Sequence, residues 1–162
     1  MELKNSRSRT KKLVISALVI AIYVVIMTIT QSFAFGAIQV RIATSMYAFA
    51  YIYPFLVLPL GLANIISNMV LGGLGFFDIF GGGLVGIMAS LMVYAVRKYN
   101  KNITLITLPI IFVPGLVVPI WLSHLTGVPY KALALSLSLG QVIPAIVGLV
   151  LVSKLKDKIG DL

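Results

Sequence analysis

Two opposite charges, Arg41 and Asp78, stand at the two ends of a long uncharged stretch in a chain that is 60% hydrophobic. Charged side chains within or at the edge of a membrane are rare, and they are usually paired or functional. A planar guanidinium and a carboxylate can together hydrogen-bond a polar heterocycle. The plainer alternatives are a structural ion pair or an arginine that extends to the lipid headgroups. These two residues are therefore the first candidates for a ligand site.

Further polar residues are weaker candidates for the same site. Asn64 and Asn68 are four residues apart and share one face of a helix. An amide in such a place either bridges neighbouring helices or contacts a ligand, and bridging is the favoured interpretation for Asn64. Gln141, in the last apolar run, faces the same two alternatives. Trp121 and His124 are either interfacial residues or part of a lid over the site.

The sequence gives little support to catalytic, metal or cofactor chemistry. The chain has no cysteine and a single histidine, so disulfides and thiolate metal sites are excluded and a catalytic metal site is not expected. The glycine-rich run GGLGFFDIFGGGLVG lacks the lysine of a phosphate-binding loop. We expect no enzyme, no cofactor and no metal. A membrane enzyme that uses Ser123, His124 or Asp78 is the weaker alternative, since no flanking pattern supports a nucleophile–base pair.

Membrane-spanning helices must position these residues. Only 10% of the chain is charged, the mean hydropathy is +1.08, and apolar runs reach the roughly 20 residues that cross a bilayer core. The net charge of +9 does not indicate nucleic-acid binding, because no soluble domain is predicted to carry a basic face. The basic residues instead cluster at the N-terminus, in the middle and at the C-terminus, as cytoplasmic segments next to spans do.

Six helices are predicted, and four of them are plain apolar runs: about Leu13–Thr30, Phe76–Val96, Ile103–Leu122 and Lys131–Val152. The stretch Ile42–Gly72 would form a helix of about 46 Å, too long for one crossing. It is therefore divided into Ile42–Val57 and Pro59–Gly72, with Pro54 and Pro59 bracketing a turn.

This layout predicts three segments: a basic cytoplasmic N-terminus at 1–12, a six-helix transmembrane domain at 13–153 and a basic cytoplasmic tail at 154–162. Both termini and the central basic cluster are then cytoplasmic, which needs an even number of spans on each side of that cluster. This topology places a set of polar residues at or near the outer ends of their helices: Arg41, Asp78, Trp121, His124 and Lys131. That convergence predicts an outward-facing site.

The segments GAIQVRIATSMYAF and GLANIISNMVLGGLGFFDIFGGG, with the six-helix layout, resemble the QueT-type substrate-binding (S) components of energy-coupling factor (ECF) transporters. The similarity runs from about Ala17 to Gln141. It implies a small plasma-membrane protein that captures a micronutrient, here a 7-deazaguanine precursor of queuosine, at its outer face. It also implies a transmembrane coupling subunit and two cytoplasmic ATPases as partners. Ala17 and Ala21 resemble the small-residue surface by which S components dock on the coupling subunit.

The pattern and the resemblance together assign the ligand-binding residues Gln39, Arg41, Thr44, Asn68, Asp78, Trp121, His124 and Gln141. In the family an Arg-x-Ser-Glu-like segment stands where this chain has RIAT, and Gly-Glu is frequent where it has Gly140-Gln141. Two carboxylates are thereby replaced by Thr44 and Gln141, which predicts a neutral ligand rather than an aminomethyl cation. The alternatives are an S component for another vitamin-like ligand and a self-sufficient small transporter or channel.

Overall fold

A computed structural model describes residues 2–34, 39–71 and 74–158. Every regular element in these ranges is a helix. The α-helices are α1 Glu2–Ile29, α2 Gln31–Ala34, α3 Val57–Val70, α4 Phe76–Lys98, α5 Thr107–Thr126, α6 Tyr130–Gly140 and α7 Val142–Leu155. The 3-10 helices are Ile42–Tyr51, Pro54–Leu56 and Ile103–Ile106. The predicted all-helical fold is confirmed over the described residues.

Four stretches of the described chain are long and apolar enough to cross a membrane: Ser8–Ile29, Phe76–Lys98, Ile103–Thr126 and Tyr130–Leu155. They coincide with the four apolar runs of the sequence to within a few residues, except that α1 continues through the basic N-terminal segment. A shorter apolar helix covers Pro54–Val70. The 3-10 helix Ile42–Tyr51 has ten residues and a length of about 20 Å, so the six-span layout stays a prediction.

The segment between Ile42 and Gly72 differs from the prediction in two respects. The chain leaves its first helix at Tyr51, and Tyr53 is extended (φ −121°, ψ 88°), because a residue that precedes proline avoids the helical region. Pro59 does not bound the turn. It lies in the first turn of α3, where a main-chain N–H would have no partner within the helix. Gly72 lies outside the described residues.

The 3-10 helix Ile42–Tyr51 lies at the centre of the bundle and packs against α1, α4 and α7. Seven of its residues are buried, and three of those are alanines that allow close packing. A 3-10 helix has about 3.0 residues per turn, so side chains three apart lie in one line. Thr44 and Tyr47 consequently point to the same side, and Arg41, directly before the helix, lies at the start of that line.

The two ends of the bundle differ in their charges. Arg97, near the end of α4, donates hydrogen bonds to the main-chain oxygens of Ile52 (2.6 Å) and Tyr51 (3.1 Å). The Lys12 ammonium lies 5.8 Å from the centre of the Phe55 ring. The N-terminal and central basic segments thus share one end. Arg41 lies at the start of the 3-10 helix that ends at Tyr51, and Asp78 lies at the start of α4, which carries Arg97 in its last turn. The candidate site therefore lies towards the end of the bundle opposite Arg97 and Lys12.

Candidate ligand-binding site

A small cavity opens between the 3-10 helix Ile42–Tyr51, α3, α4, α5 and the junction of α6 with α7. Each element contributes residues at its own helical spacing, such as Asp78, Gly82 and Val85 on α4. The lining residues are Gln39, Arg41, Thr44, Tyr47, Asn64, Asp78, Gly82, Val85, Pro114, Val118, Leu137 and Gln141. Polar groups from four separate parts of the chain thus meet within an otherwise apolar bundle.

Arg41 and Asp78 are joined through the side chain of Asn68. The guanidinium Nη1 donates to Asn68 Oδ1 at 3.5 Å, and Asn68 Nδ2 donates to the main-chain oxygen of Asp78 at 2.9 Å. Arg41 is 8% exposed, Asp78 4% and Asn68 0%. Because Arg41 can only donate, it fixes which way the Asn68 amide points. Asn68 therefore orders the two charged residues at the edge of the cavity.

The Asp78 carboxylate occupies the first turn of α4, where the helix dipole favours a negative charge. The preceding Gly75 has a φ of +95°, a conformation that glycine adopts at little cost. Asp78 Oδ2 accepts a hydrogen bond from the main-chain N–H of Leu74 at 3.2 Å. Asp78 Oδ1 accepts one from Trp121 Nε1 at 3.3 Å, so α5 also holds the carboxylate in place.

The side chains of Thr44 and Gln141 lie in contact with each other. The Thr44 hydroxyl is 2.6 Å from Gln141 Oε1 and donates to the main-chain oxygen of Arg41 at 2.7 Å. Both side chains are almost fully buried. Gln141 is placed here by the break between α6 and α7, since Pro144 has no N–H to donate to the carbonyl of Gly140.

A buried hydrogen-bonded chain connects the cavity with α1. Asn64 Nδ2 donates to the Tyr47 hydroxyl at 2.6 Å, and the hydroxyls of Tyr47 and Tyr23 are 3.3 Å apart. The two tyrosine rings stack with their centres 6.1 Å apart. Tyr23 lies on α1 and is fully buried. The wall of the cavity is therefore tied to the helix that carries Ala17 and Ala21.

The structure brings together most of the residues predicted from the sequence. Five of them line the cavity: Gln39, Arg41, Thr44, Asp78 and Gln141. Asn68 and Trp121 contact Asp78 from behind, whereas His124 is exposed on α5 and does not line the cavity. Ala17 and Ala21 are exposed on α1. Over the described part of the chain, no group of three His, Cys, Asp or Glu side chains could hold a metal ion.

Tyr47 and Gly82 also line the cavity, and sequence reasoning did not assign them to a site. Tyr47 follows from the three-residue period of the 3-10 helix, which a spacing of about 3.6 residues does not reveal. At Gly82, an added Cβ would lie 2.6 Å from Asn68 Nδ2 and 2.9 Å from Asn64 Oδ1. The missing side chain therefore leaves room for the two amides beside α4.

The cavity has a volume of about 20 Å³, which is room for one water molecule. Pockets for small molecules typically measure roughly 300–1,000 Å³. A ligand the size of a purine base therefore requires at least one wall to move outward.

Comparison with known proteins gives one match, to a family model described as "QueT transporter", over residues 13–157 of the 162. A search of the curated proteins and a search of the solved structures give no match. The matched range contains three of the four long apolar stretches in full, most of the first one, and every residue that lines the cavity. The chain therefore belongs to the QueT transporter family and is a membrane-integral transport protein.

Proposed function

We propose that this protein is the S component of an ECF-type importer. In this role it captures a 7-deazaguanine precursor of queuosine at the outer face of the plasma membrane. Partner ATPases then supply the energy for delivery into the cell. Membership of the QueT transporter family supports the transport role. The observation that carries the proposal is a buried guanidinium and a buried carboxylate beside one cavity. Asn68 bonds the guanidinium, and Trp121 and the main-chain N–H of Leu74 hold the carboxylate.

The polar groups of the cavity suit a planar heterocycle. Arg41 offers N–H donors, Asp78 offers carboxylate acceptors, and Gln141 and Asn64 carry amides. The remaining wall is apolar, with Val85, Val118 and Leu137 among its residues. A small polar base that shows hydrogen-bonding atoms along its edges and flat apolar faces matches this mixture.

The ligand is proposed to be neutral, as in a nitrile-bearing base, rather than an aminomethyl cation. Thr44 and Gln141 contact each other at 2.6 Å, so the two acids of the family pattern would lie side by side here. Two adjacent carboxylates favour a cation between them, whereas a hydroxyl and an amide carry no charge. The positive charge of Arg41 and the negative charge of Asp78 then sum to a net formal charge of zero in the cavity.

Docking on a coupling subunit is proposed to use α1. In the membrane-spanning part of α1 only 11% of the residues are buried, the lowest share among the four long spans. Its exposed surface includes Ala17 and Ala21 and the large apolar residues Leu18 and Val25. Small residues within an apolar surface allow another helix to approach closely. This surface of α1 therefore suits contact with a transmembrane helix of a partner protein.

A mild-detergent purification of the tagged protein from its own cells tests this function. Mass spectrometry of the retained material should identify a transmembrane coupling protein, two ATPases and a 7-deazaguanine base. Repeated recovery of the chain alone, from gently solubilised membranes, would contradict the ECF role and favour a self-sufficient transporter. Recovery of the partners with a different bound vitamin would contradict only the proposed ligand.

A further inference from the structure

Asn64 lies in the middle of α3 and is 2% exposed. Its two amide atoms differ in their surroundings. Nδ2 donates to the Tyr47 hydroxyl at 2.6 Å, whereas Oδ1 has no hydrogen-bond partner among the described residues. Leaving a buried acceptor unpaired is unfavourable, and in native structures such an atom commonly serves a ligand or a water molecule.

The oxygen of Asn64 lies beside the cavity at the point where Gly82 has no side chain. A Cβ added at Gly82 would be 2.9 Å from Asn64 Oδ1 and 2.6 Å from Asn68 Nδ2. Asn68 presents a nitrogen here because its own oxygen accepts from Arg41. The Asn64 side chain therefore places its oxygen, not its nitrogen, next to Gly82. If the Asn64 amide were flipped, two N–H donors, from Asn64 and Asn68, would face each other without an acceptor.

The other buried carboxylate and amide oxygens in the wall already have a hydrogen-bonding contact, and for Gln141 Oε1 this is the Thr44 hydroxyl at 2.6 Å. Asp78 Oδ1 accepts a hydrogen bond from Trp121, and Asp78 Oδ2 accepts one from the N–H of Leu74. Among the described residues that line the cavity, Asn64 Oδ1 is thus the buried amide or carboxylate oxygen that has no hydrogen-bond partner. Arg41, on the neighbouring wall, can only donate.

We infer that Asn64 is a specificity-determining residue that accepts a hydrogen bond from a ring N–H or amine of the ligand. With Arg41 as the donor to a carbonyl, the site selects a base whose edge carries a lactam with a neighbouring amine. A base that presents an acceptor to Asn64 is rejected, because the two oxygens or lone pairs would repel each other. This inference rests on the proposed function for the class of ligand.

Titration calorimetry on the purified protein tests the role of Asn64 with three ligands. They are 7-cyano-7-deazaguanine, its analogue without the exocyclic amine, and its analogue methylated at the lactam nitrogen. Asn64→Ala should weaken binding of the parent base by about tenfold or more, the range for a hydrogen bond to a buried group. One of the two analogues lacks the N–H group that donates to Asn64 in the parent base. Asn64→Ala should change the affinity for that analogue by about twofold or less.

Two controls separate direct contact from a structural role. Tyr47→Phe removes the partner of Asn64 Nδ2 but keeps Oδ1, so it should preserve the discrimination between the parent base and the analogues. Ser90→Ala removes another buried polar atom without a partner in the described chain, one that does not line the cavity, and should bind all ligands as the wild type does. If Asn64→Ala does not fold, Asn64→Leu retains the volume and removes both polar atoms.

An equal loss of affinity for all three ligands in the Asn64 variants would overturn the inference and show that Asn64 only supports Tyr47 or holds a water molecule. Failure of the wild-type protein to bind any of the three bases is a different result, which overturns the proposed ligand and this inference together.

Discussion

At Arg41 and Asp78 the chain keeps two charges whose burial in an apolar bundle is costly unless they are paired or bind a ligand. Replacing Arg41 with alanine or Asp78 with asparagine should therefore weaken ligand binding by about 10-fold to 100-fold for each hydrogen bond that is lost, since hydrogen bonds to charged groups are worth roughly 1.5–3 kcal/mol each. Calorimetry measures the loss, and size-exclusion chromatography checks folding.

Lys131 provides the matched control for these charge variants. It is an exposed cation in the first turn of α6, outside the cavity, and Lys131→Ala should bind as the wild type does. Normal affinity in both Arg41→Ala and Asp78→Asn would remove these residues from the binding site.

The contact between Thr44 and Gln141 leads to a prediction about ligand charge. The wild-type protein should prefer a nitrile-bearing 7-deazaguanine over its aminomethyl counterpart. Gln141→Glu should shift the ratio of the two affinities towards the aminomethyl base by about tenfold or more, because a carboxylate attracts the nearby ammonium in this poorly solvated cavity. Competition binding measures the ratio.

Thr126→Glu is the control for Gln141→Glu. It adds the same charge at the exposed end of α5 and should leave the ratio of the two affinities unchanged. An unaltered ratio in Gln141→Glu would contradict the charge argument.

At the scale of the elements, Gly140 holds the loop before the 3-10 helix in place. The main chain of Gln39 packs directly on Gly140, so that any side chain there would collide with a carbonyl. Gly140→Ala should displace Gln39 and with it Arg41, and overpacking of this kind costs about 1–3 kcal/mol. We expect a lower unfolding temperature and about tenfold or more weaker ligand binding.

Leu139→Ala, at the exposed neighbouring position, is the control for Gly140 and should retain ligand affinity. Thermal unfolding in detergent and calorimetry on the same preparations compare the two variants. Wild-type affinity in Gly140→Ala would show that the loop does not position Arg41.

The long helices could be predicted from the sequence because their apolar runs match the thickness of a bilayer, and Arg41 and Asp78 stood out because charges are rare in such runs. The 3-10 helix Ile42–Tyr51 could not, since its apolar residues fit an α-helix equally well. An α-helical period of about 3.6 residues does not align Tyr47 with Arg41 and Thr44, whereas the 3-10 period of about 3.0 residues does. Asn64 was interpreted as an amide that bridges helices, and its hydrogen bond to Tyr47 confirms this, but composition does not show that its other amide atom lacks a partner.

At the scale of the whole molecule, the proposed ligand site and the proposed docking surface lie in different parts of the bundle. The cavity lies towards the end opposite the basic segments, whereas the exposed Ala17 and Ala21 lie on the side of the bundle along α1. The hydroxyls of Tyr47 and Tyr23 connect the two regions. Ligand binding and partner docking should therefore respond to different substitutions.

Ala17→Trp should prevent association with the coupling subunit, because a large side chain stops a partner helix from approaching α1. Ligand binding by the isolated protein should remain within about twofold of the wild type, since Ala17 does not line the cavity. Co-purification measures association. Leu91→Trp, on the exposed surface of α4, is the control and should retain the partners. Undiminished co-purification of Ala17→Trp would exclude this surface as the docking site.

Calorimetric titration of the purified wild-type protein with 7-cyano-7-deazaguanine, beside Arg41→Ala, tests the central claim most directly. The intrinsic fluorescence of Trp121, the chain's single tryptophan, gives a second signal from a residue bonded to Asp78. Saturable one-to-one binding with a Kd below about 1 µM, lost in Arg41→Ala, is the predicted result. An absence of binding by the wild type, or equal binding by the folded variant, would contradict the assignment of this cavity as the site for the base.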